Sequence, residues 1–137
     1  MKNYLILALL LLVSCSNQKL TEKIILELKE VSPAEKEEKV VLIISKTDCS
    51  LCIKDKLINF FSSSLCKEVF IVGVDENSKP SISPEIAQVF ESFDVKIHHL
   101  NSINLLIELA KYTSNPQSPY IATYSTRETK LQDFSLY

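Results

Sequence analysis

Glycine is almost absent from this chain: among 137 residues there is a single one, Gly73. At average usage a chain of this length would contain roughly nine or ten. The phosphate-binding loops G-x-G-x-x-G and G-x-x-x-x-G-K-[ST] and the G-x-S-x-G elbow of the α/β-hydrolases each need more than one glycine. The sequence therefore excludes these motifs, and its turns must use asparagine, aspartate, serine and proline instead.

The chain also lacks a strong excess of positive or negative charge, since it has 15 basic and 17 acidic residues and a net charge of −2. Lys and Arg are scattered and form no basic patch, so nothing favours nucleic acid as a partner. Hydrophobic residues make up 46% of the chain and charged residues 23%, which suits one folded domain and argues against disorder. Four cysteines are too few for a disulfide scaffold.

The first residues are typical of an export signal. A short basic start, Met1–Tyr4, precedes nine apolar residues, Leu5–Val13, whereas a helix needs about 20 residues to cross a bilayer. These residues fit the hydrophobic part of a signal peptide, with a plain hydrophobic anchor as the alternative. The run ends in Leu-Val-Ser-Cys at Cys15. This ending resembles the lipobox of bacterial lipoproteins, whose cysteine is acylated and becomes the first residue of the mature chain.

We therefore expect a lipoprotein signal peptide over residues 1–14, a polar tether over 15–23 and a folded domain over 24–137. The resemblance implies a lipid anchor at Cys15 and a place in the bacterial cell envelope, facing the periplasm. Disulfides persist in that compartment. Ser16, rather than an aspartate, follows the anchor cysteine, which favours the outer membrane over the inner one.

Strand and helix patterns alternate along the rest of the chain, which predicts an α/β fold with helices layered on a sheet. Continuous β-branched runs predict buried strands, apolar residues at helical spacing predict helices, and a polar turn between two short apolar runs predicts a hairpin. The predicted strands are Val40–Ser45, Val69–Val74, Val95–Leu100 and the hairpin pair Tyr120–Tyr124 and Lys130–Phe134. The predicted helices are Ser50–Ser64, Pro84–Phe93 and Ser102–Tyr112.

Two of these helices carry a stripe of apolar residues that indicates the face turned toward the core. In the first the stripe is Ile53, Leu57, Phe60 and Phe61, and in the last it is Ile103, Leu106, Ile107 and Ala110. The segment Thr21–Val31 is ambiguous, because its apolar residues fit the helical period and the strand period equally well.

A C-x-x-C motif, Cys49-Ser50-Leu51-Cys52, lies directly after a predicted buried strand and at the start of a predicted helix. The unpaired N–H groups and the positive dipole end of a helix N-terminus favour a thiolate at Cys49. Cys52 follows one helical turn later, so the two sulfurs can bond. This context predicts disulfide exchange, in which Cys49 attacks a substrate disulfide and Cys52 resolves the mixed disulfide.

Two other interpretations of the motif stay open. The cysteines can form a static disulfide in an inactive scaffold, or they can belong to a metal site that recruits Cys66, His98 or His99. The metal site lacks a second cysteine pair at zinc-binding spacing. Adjacent strand residues also point to opposite faces, so at most one of His98 and His99 can face a given site. Cys66 on its own is expected to be a packing residue.

Together these features resemble the thioredoxin-like superfamily over residues 40–134, most of all its TlpA-like and periplasmic lipoprotein branches. The matching features are the strand, C-x-x-C and helix, the second strand, and Ser118-Pro119 before the hairpin. The resemblance implies a thioredoxin-like fold, with a central mixed sheet flanked by helices. Pro119 stands where the family has a cis-proline that faces the cysteines, and with Ser118 it is expected to shape the edge where substrate docks.

The same resemblance implies an activity, which is thiol–disulfide exchange on protein substrates. The electrons would come from a thiol donor in the envelope, and the reaction needs no cofactor and no metal. The alternative from another class is a redox-inactive binding or assembly module in which the two cysteines stay as a structural disulfide.

The chain departs from the family pattern at several positions. Asp48 replaces the usual tryptophan, serine and leucine replace Gly-Pro between the cysteines, and Ile43 replaces a buried acid that assists proton transfer. The sequence also stops at Tyr137, before the usual final helix, which would leave one face of the sheet uncovered. We therefore expect Thr21–Val31, as a helix, or a partner to cover that face.

Overall fold

The computed structural model describes residues 2–45, 50–73, 82–112 and 119–134. The elements in these ranges alternate as predicted, and each predicted bound lies within one residue of the observed one. In chain order they are α1 (Lys2–Val31), β1 (Lys39–Ser45), α2 (Ser50–Ser63), β2 (Glu68–Gly73), α3 (Pro84–Ser92), β3 (Lys96–Asn101), α4 (Ile103–Tyr112), β4 (Tyr120–Tyr124) and β5 (Thr129–Asp133).

The five strands form one mixed sheet in the order β3-β2-β1-β4-β5. The first three strands along the chain are parallel, and the β4–β5 hairpin continues the sheet antiparallel to β1. The connections through α2 and α3 step across the sheet in the same direction, and both helices lie on the same face. This is the arrangement expected when both crossovers have the same hand. The α/β fold with a mixed sheet flanked by helices is therefore confirmed.

One face of the sheet, which we call the α2 face, is covered by α2 and α3. All four residues of the predicted α2 stripe are buried on it, together with Leu42 and Ile44 of β1. Phe60 stands edge-on to Phe61 and to Phe134, with ring centroids 5.3 and 5.4 Å apart. Such pairs add to the stabilisation from burial, so the end of the hairpin is held against the last turn of α2.

The opposite face, which we call the α1 face, is covered by α1 and α4. Ile24, Ile25 and Leu28 of α1 are fully buried there, whereas Leu26 is 62% exposed. This burial pattern is helical, which resolves the ambiguity of Thr21–Val31 and confirms that this segment covers the sheet. Residues 15–23, expected to form a tether, are also helical, as part of α1.

Helix α4 presents a different side to the core from the predicted one. Ile103 is 60% and Ile107 is 47% exposed, and Ala110 is exposed too, whereas Leu105 and Leu109 are buried. Leu106, the remaining residue of the predicted stripe, is partly buried. The predicted stripe is therefore wrong for this helix.

The rotation of α4 is fixed at its first turn by Ser102. The Ser102 hydroxyl accepts the N–H of Leu105 at 3.1 Å and donates to Glu27 Oε2 of α1 at 2.7 Å. These bonds cap the helix and tie its start to α1. The side of the helix that carries Leu105 is thereby turned toward the core.

At the end of α3, Asp94 and not a glycine takes the left-handed backbone conformation, with a φ of 53°. The N–H of Asp94 donates to Glu91 O at 3.2 Å, and the N–H of Val95 donates to Phe90 O at 3.0 Å. This pair of bonds is the helix ending for which glycine is the usual residue at the left-handed position. Aspartate is among the few other residues that adopt this conformation.

The hairpin turn between β4 and β5 is held by Ser125 instead of a glycine. Its hydroxyl accepts the N–H groups of Arg127 and Glu128 at 3.1 and 3.2 Å, and its own N–H donates to Glu128 O at 2.9 Å. The N–H of Thr126 donates to Glu35 O at 3.0 Å. The turn is therefore joined to the connection between α1 and β1.

Candidate functional site

The predicted C-x-x-C site lies where β1 leads into α2. β1 ends at Ser45, and α2 begins at Ser50. Cys49 lies outside the described residues, and of Cys52 only the backbone is described, in the first turn of α2. The motif thus connects the C-terminal end of a central parallel strand to a helix N-terminus. Free N–H groups and the positive end of the helix dipole stabilise negative charge at such a position.

Pro119 lies at the same end of the sheet as the motif. It is buried and directly precedes β4. Because β4 runs antiparallel to β1 with Tyr120 opposite Ile43, Pro119 comes beside the C-terminal end of β1, from which the chain continues to Cys49. Its carbonyl accepts the N–H of Phe134 at 2.9 Å. Ser118 lies outside the described residues, as does the Ser118–Pro119 peptide bond.

Ile43, at the position where the sequence resemblance implies a buried acid, is fully buried on the α1 face. It packs there in a cluster that includes Val41, Phe70 and Tyr120. The only polar atom among these side chains is the Tyr120 hydroxyl, and it donates to Leu109 O at 3.2 Å. An alkyl side chain transfers no proton, so proton transfer at the cysteines cannot use this position.

Cys66 lies away from this site, just before the start of β2. It is buried on the α2 face, and its thiol donates to Glu68 O at 3.3 Å. Burial raises the pKa of the Cys66 thiol to about 11. At neutral pH the thiol is therefore protonated and a poor nucleophile. The expectation that Cys66 is a packing residue is confirmed.

The histidines and Cys66 do not come together as a metal site. Cys66 packs on the α2 face, whereas His98 stacks on Phe70 of the α1 face with ring centroids 4.7 Å apart. His99 is exposed. In the part of the chain that the structure describes, no group of three or more His, Cys, Asp or Glu residues could hold a metal ion.

A polar cluster that sequence reasoning missed lies where the parallel strands begin, and we call Ser32, Lys39, Glu68 and His98 the strand-start cluster. Glu68 Oε2 accepts the Ser32 hydroxyl at 2.7 Å and lies 2.7 Å from His98 Nε2. Glu68 Oε1 lies 3.3 Å from Lys39 Nζ, which also donates to Ser32 Oγ at 2.9 Å. The cluster joins the end of α1 to β1, β2 and β3.

The charges of the strand-start cluster stabilise one another. Burial by itself would raise the pKa of Glu68, but hydrogen bonds from Ser32, His98 and Lys39 outweigh it and hold this pKa below its ordinary value. Burial likewise would lower the pKa of Lys39, but Glu35 and Glu68 outweigh it and raise this pKa. Both side chains are therefore charged at neutral pH, and both interact with other members of the cluster through ion pairs and hydrogen bonds.

Comparison with known proteins found no match for this chain. Neither a protein-family model, nor a curated protein, nor a solved structure matches the chain. Within the described ranges, no helix is both long enough and apolar enough to cross a membrane.

Proposed function

We propose that this protein is a thioredoxin-like thiol–disulfide oxidoreductase of the bacterial envelope, with Cys49 as the nucleophile and Cys52 as the resolving cysteine. One observation carries the proposal: the motif lies between the end of a central parallel strand and a helix N-terminus, and Pro119 enters the neighbouring antiparallel strand at the same end. A proline that begins the strand of a terminal hairpin and faces the cysteines is the arrangement that the sequence resemblance implies.

The proposed reaction exchanges two electrons between dithiols and disulfides. The Cys49 thiolate attacks one sulfur of a substrate disulfide, which forms a mixed disulfide and releases the first substrate thiolate. Cys52, as a thiolate, then attacks the Cys49 sulfur, which releases the second substrate thiolate and leaves the Cys49–Cys52 pair oxidised. A thiol donor in the envelope reduces the pair again, and no cofactor takes part. The reverse sequence oxidises substrate thiols.

The substrates in this proposal are proteins of the envelope. The edge formed by Ser118 and Pro119 receives a strand-like stretch of substrate beside the two cysteines. Because the Pro119 carbonyl is bonded to the N–H of Phe134, the hairpin itself holds this edge in place. A rigid edge lowers the entropy lost when an extended substrate segment binds.

Trapping of mixed disulfides tests this proposal. Replacing Cys52→Ser removes the resolving thiol, so substrates bound to Cys49 should accumulate as adducts that a reducing agent releases. The matched control is the double variant Cys49→Ser with Cys52→Ser, which keeps Cys66. Adducts in the single variant and not in the double one support exchange at Cys49. Equal amounts in both, on non-reducing gels of whole cells, contradict it.

Ile43 favours a second candidate, a binding or assembly module whose cysteines form a fixed disulfide. With an alkyl group in place of the buried acid, exchange at this site lacks the proton transfer that efficient members of the family use. A titration of the Cys49–Cys52 pair in a series of redox buffers distinguishes the two functions. A reduction potential below roughly −300 mV marks a structural disulfide, and a higher potential marks an exchanging pair.

The proposed anchor is an acyl group on Cys15, which becomes the first residue of the mature chain when residues 1–14 are removed. Replacing Cys15→Ser removes the thiol that the lipobox resemblance implies as the site of lipid attachment. We expect cells fed a radioactive fatty acid to label the unchanged protein and not this variant. Equal labelling of both proteins contradicts the anchor. If only the unchanged protein is labelled, fractionation of the envelope distinguishes the favoured outer membrane from the inner one.

A further inference from the structure

The segment between the proposed lipid anchor and the core is short and helical. Cys15 and Leu20 both lie in α1, and among the side chains of α1 that the structure describes, Leu20 is the first that packs against the core of the α1 face. At 1.5 Å per residue, the helix places these two backbone positions about 8 Å apart. After removal of residues 1–14 this stretch is the first turn of a helix that continues to Val31, and it is not a flexible linker. The direction in which α1 meets the sheet therefore determines how the domain is oriented at the membrane.

Helix α1 enters the domain beside the hairpin turn. Asn17, Thr21 and Glu22 line a polar cleft of about 570 Å³, and the opposite wall is formed by residues 127–131 of the hairpin. Glu38, next to the first residue of β1, also lines this cleft. The anchored end of α1 thus lies at the end of the sheet where β1 begins.

The start of α2, which includes Cys52, lies toward the opposite end of the sheet. β1 starts at Lys39, opposite Tyr124 at the end of β4, and runs to Ser45, after which the chain continues to Cys49. A strand of this length spans about 20 Å. The exchange site is therefore separated from the anchored end by the length of the central strand.

We propose that α1 holds the domain with its hairpin turn against the lipid headgroups and with the Cys49–Cys52 end directed away from the bilayer. The inference rests on the proposed function and its anchor at Cys15. The partner of the hairpin end is the headgroup layer and not the hydrocarbon, because most of the side chains that line the cleft there are polar or charged. In this orientation the site acts on proteins in the aqueous periplasm and not on thiols at the membrane surface.

The absence of tryptophan from the chain makes the orientation measurable with a single introduced fluorophore. Thr126→Trp places it in the exposed hairpin turn. Glu85→Trp places it at the exposed start of α3, which lies at the far end because α3 runs from the end of β2 back to the start of β3. The lipidated protein is inserted into vesicles of phosphatidylethanolamine and phosphatidylglycerol that contain a dansyl-labelled headgroup, and energy transfer from tryptophan to dansyl is recorded.

We expect energy transfer several-fold stronger from position 126 than from position 85, because transfer falls steeply with distance. Ser92→Trp is the matched control, since it is also exposed but lies at the other end of α3, and its transfer should exceed that from position 85. Inserting a flexible Gly-Ser linker of about ten residues after Asn17 should make the positions equal. Circular dichroism of each variant verifies that it is folded.

Equal transfer from positions 126 and 85 without the linker, or stronger transfer from position 85, overturns the orientation. Failure of the protein purified from the membrane fraction to sediment with vesicles overturns the anchor and the orientation together. Neither result bears on exchange at Cys49, which is judged by the trapped mixed disulfides. Conversely, if no adducts are trapped but energy transfer is stronger from position 126 than from position 85, the orientation is supported and the proposed activity is contradicted.

Discussion

Asp94 occupies a left-handed backbone position at which its Cβ is unfavourable. That conformation costs most L-residues about 1–2 kcal/mol, and aspartate somewhat less. Glycine lacks the Cβ but gains entropy in the unfolded chain. We therefore expect Asp94→Gly to raise the free energy of unfolding by about 0.5 kcal/mol, as measured by urea denaturation. Such a gain would show that the lack of glycine has a local cost in stability.

The matched control for Asp94 is Ser92, which lies in the last turn of α3. Ser92→Gly adds the same residue at a helical position and should lower the free energy of unfolding by about 0.5–1 kcal/mol. If both glycine variants lower stability to the same extent, the strain assigned to Asp94 is absent.

Single residues of the α2 face could be predicted from the sequence, because Ile53, Leu57, Phe60 and Phe61 follow one helical stripe next to a buried strand. Asp94 could not be predicted, since an aspartate after a helix is also common at ordinary backbone angles. The sequence indicated only that some residue other than glycine must fill such positions.

Among the elements, α1 depends most on burial of one side. Leu28 is fully buried on the α1 face, whereas Leu26 on the opposite side of the helix is 62% exposed. We expect Leu28→Ala to lower the free energy of unfolding by about 2–5 kcal/mol, through lost burial and an unfilled cavity. Leu26→Ala, with the same change of side chain, should alter it by at most about 0.5 kcal/mol. Chemical denaturation of the two variants compares these values, and equal losses contradict the packing of α1 on the sheet.

The elements could be predicted where their patterns were unambiguous. β1 and β2 are β-branched runs buried on both faces, so their bounds followed directly. The rotation of α4 could not be predicted, because two apolar rows compete on that helix. The choice between them depends on Ser102 bonding Glu27, 75 residues away, a contact that no local period encodes.

On the scale of the whole molecule, the strand-start cluster joins the end of α1 to three strands. Its contribution to the free energy of unfolding depends on pH. The folded-state pKa of Glu68 lies below its ordinary value of 4.5. Its contribution to stability is therefore complete above that ordinary value and is lost as the pH falls through the folded-state pKa. We expect the free energy of unfolding to fall more steeply on acidification in the unchanged protein than in Glu68→Gln. Urea denaturation at a series of pH values measures both slopes.

Glu91→Gln, which removes an exposed carboxylate of α3 outside the cluster, is the matched control for this experiment. It should keep the steeper slope of the unchanged protein. Parallel slopes for the unchanged protein and Glu68→Gln would mean that the cluster does not couple stability to proton binding.

The C-x-x-C motif and the strand-start cluster differ in how far they could be predicted from the sequence. The cysteines form a short motif, and the sequence resemblance singled out Pro119 by its position before the hairpin. Glu68 and His98 lie 30 residues apart and Ser32 lies 36 residues from Glu68, with no recurring spacing. Only the pairing of β2 with β3 and the end of α1 bring them together, so the cluster required the three-dimensional structure.

The β4–β5 hairpin contributes to both core layers, which has a consequence for the order of folding. Ile121 and Phe134 lie on the α2 face, and Tyr120, Ala122 and Leu131 lie on the α1 face. Along the chain α1 precedes the elements that it packs against, and its apolar side has no complete surface to bury against until the hairpin follows roughly 90 residues later. Before the hairpin is in place, the apolar side of α1 is therefore exposed and prone to aggregation.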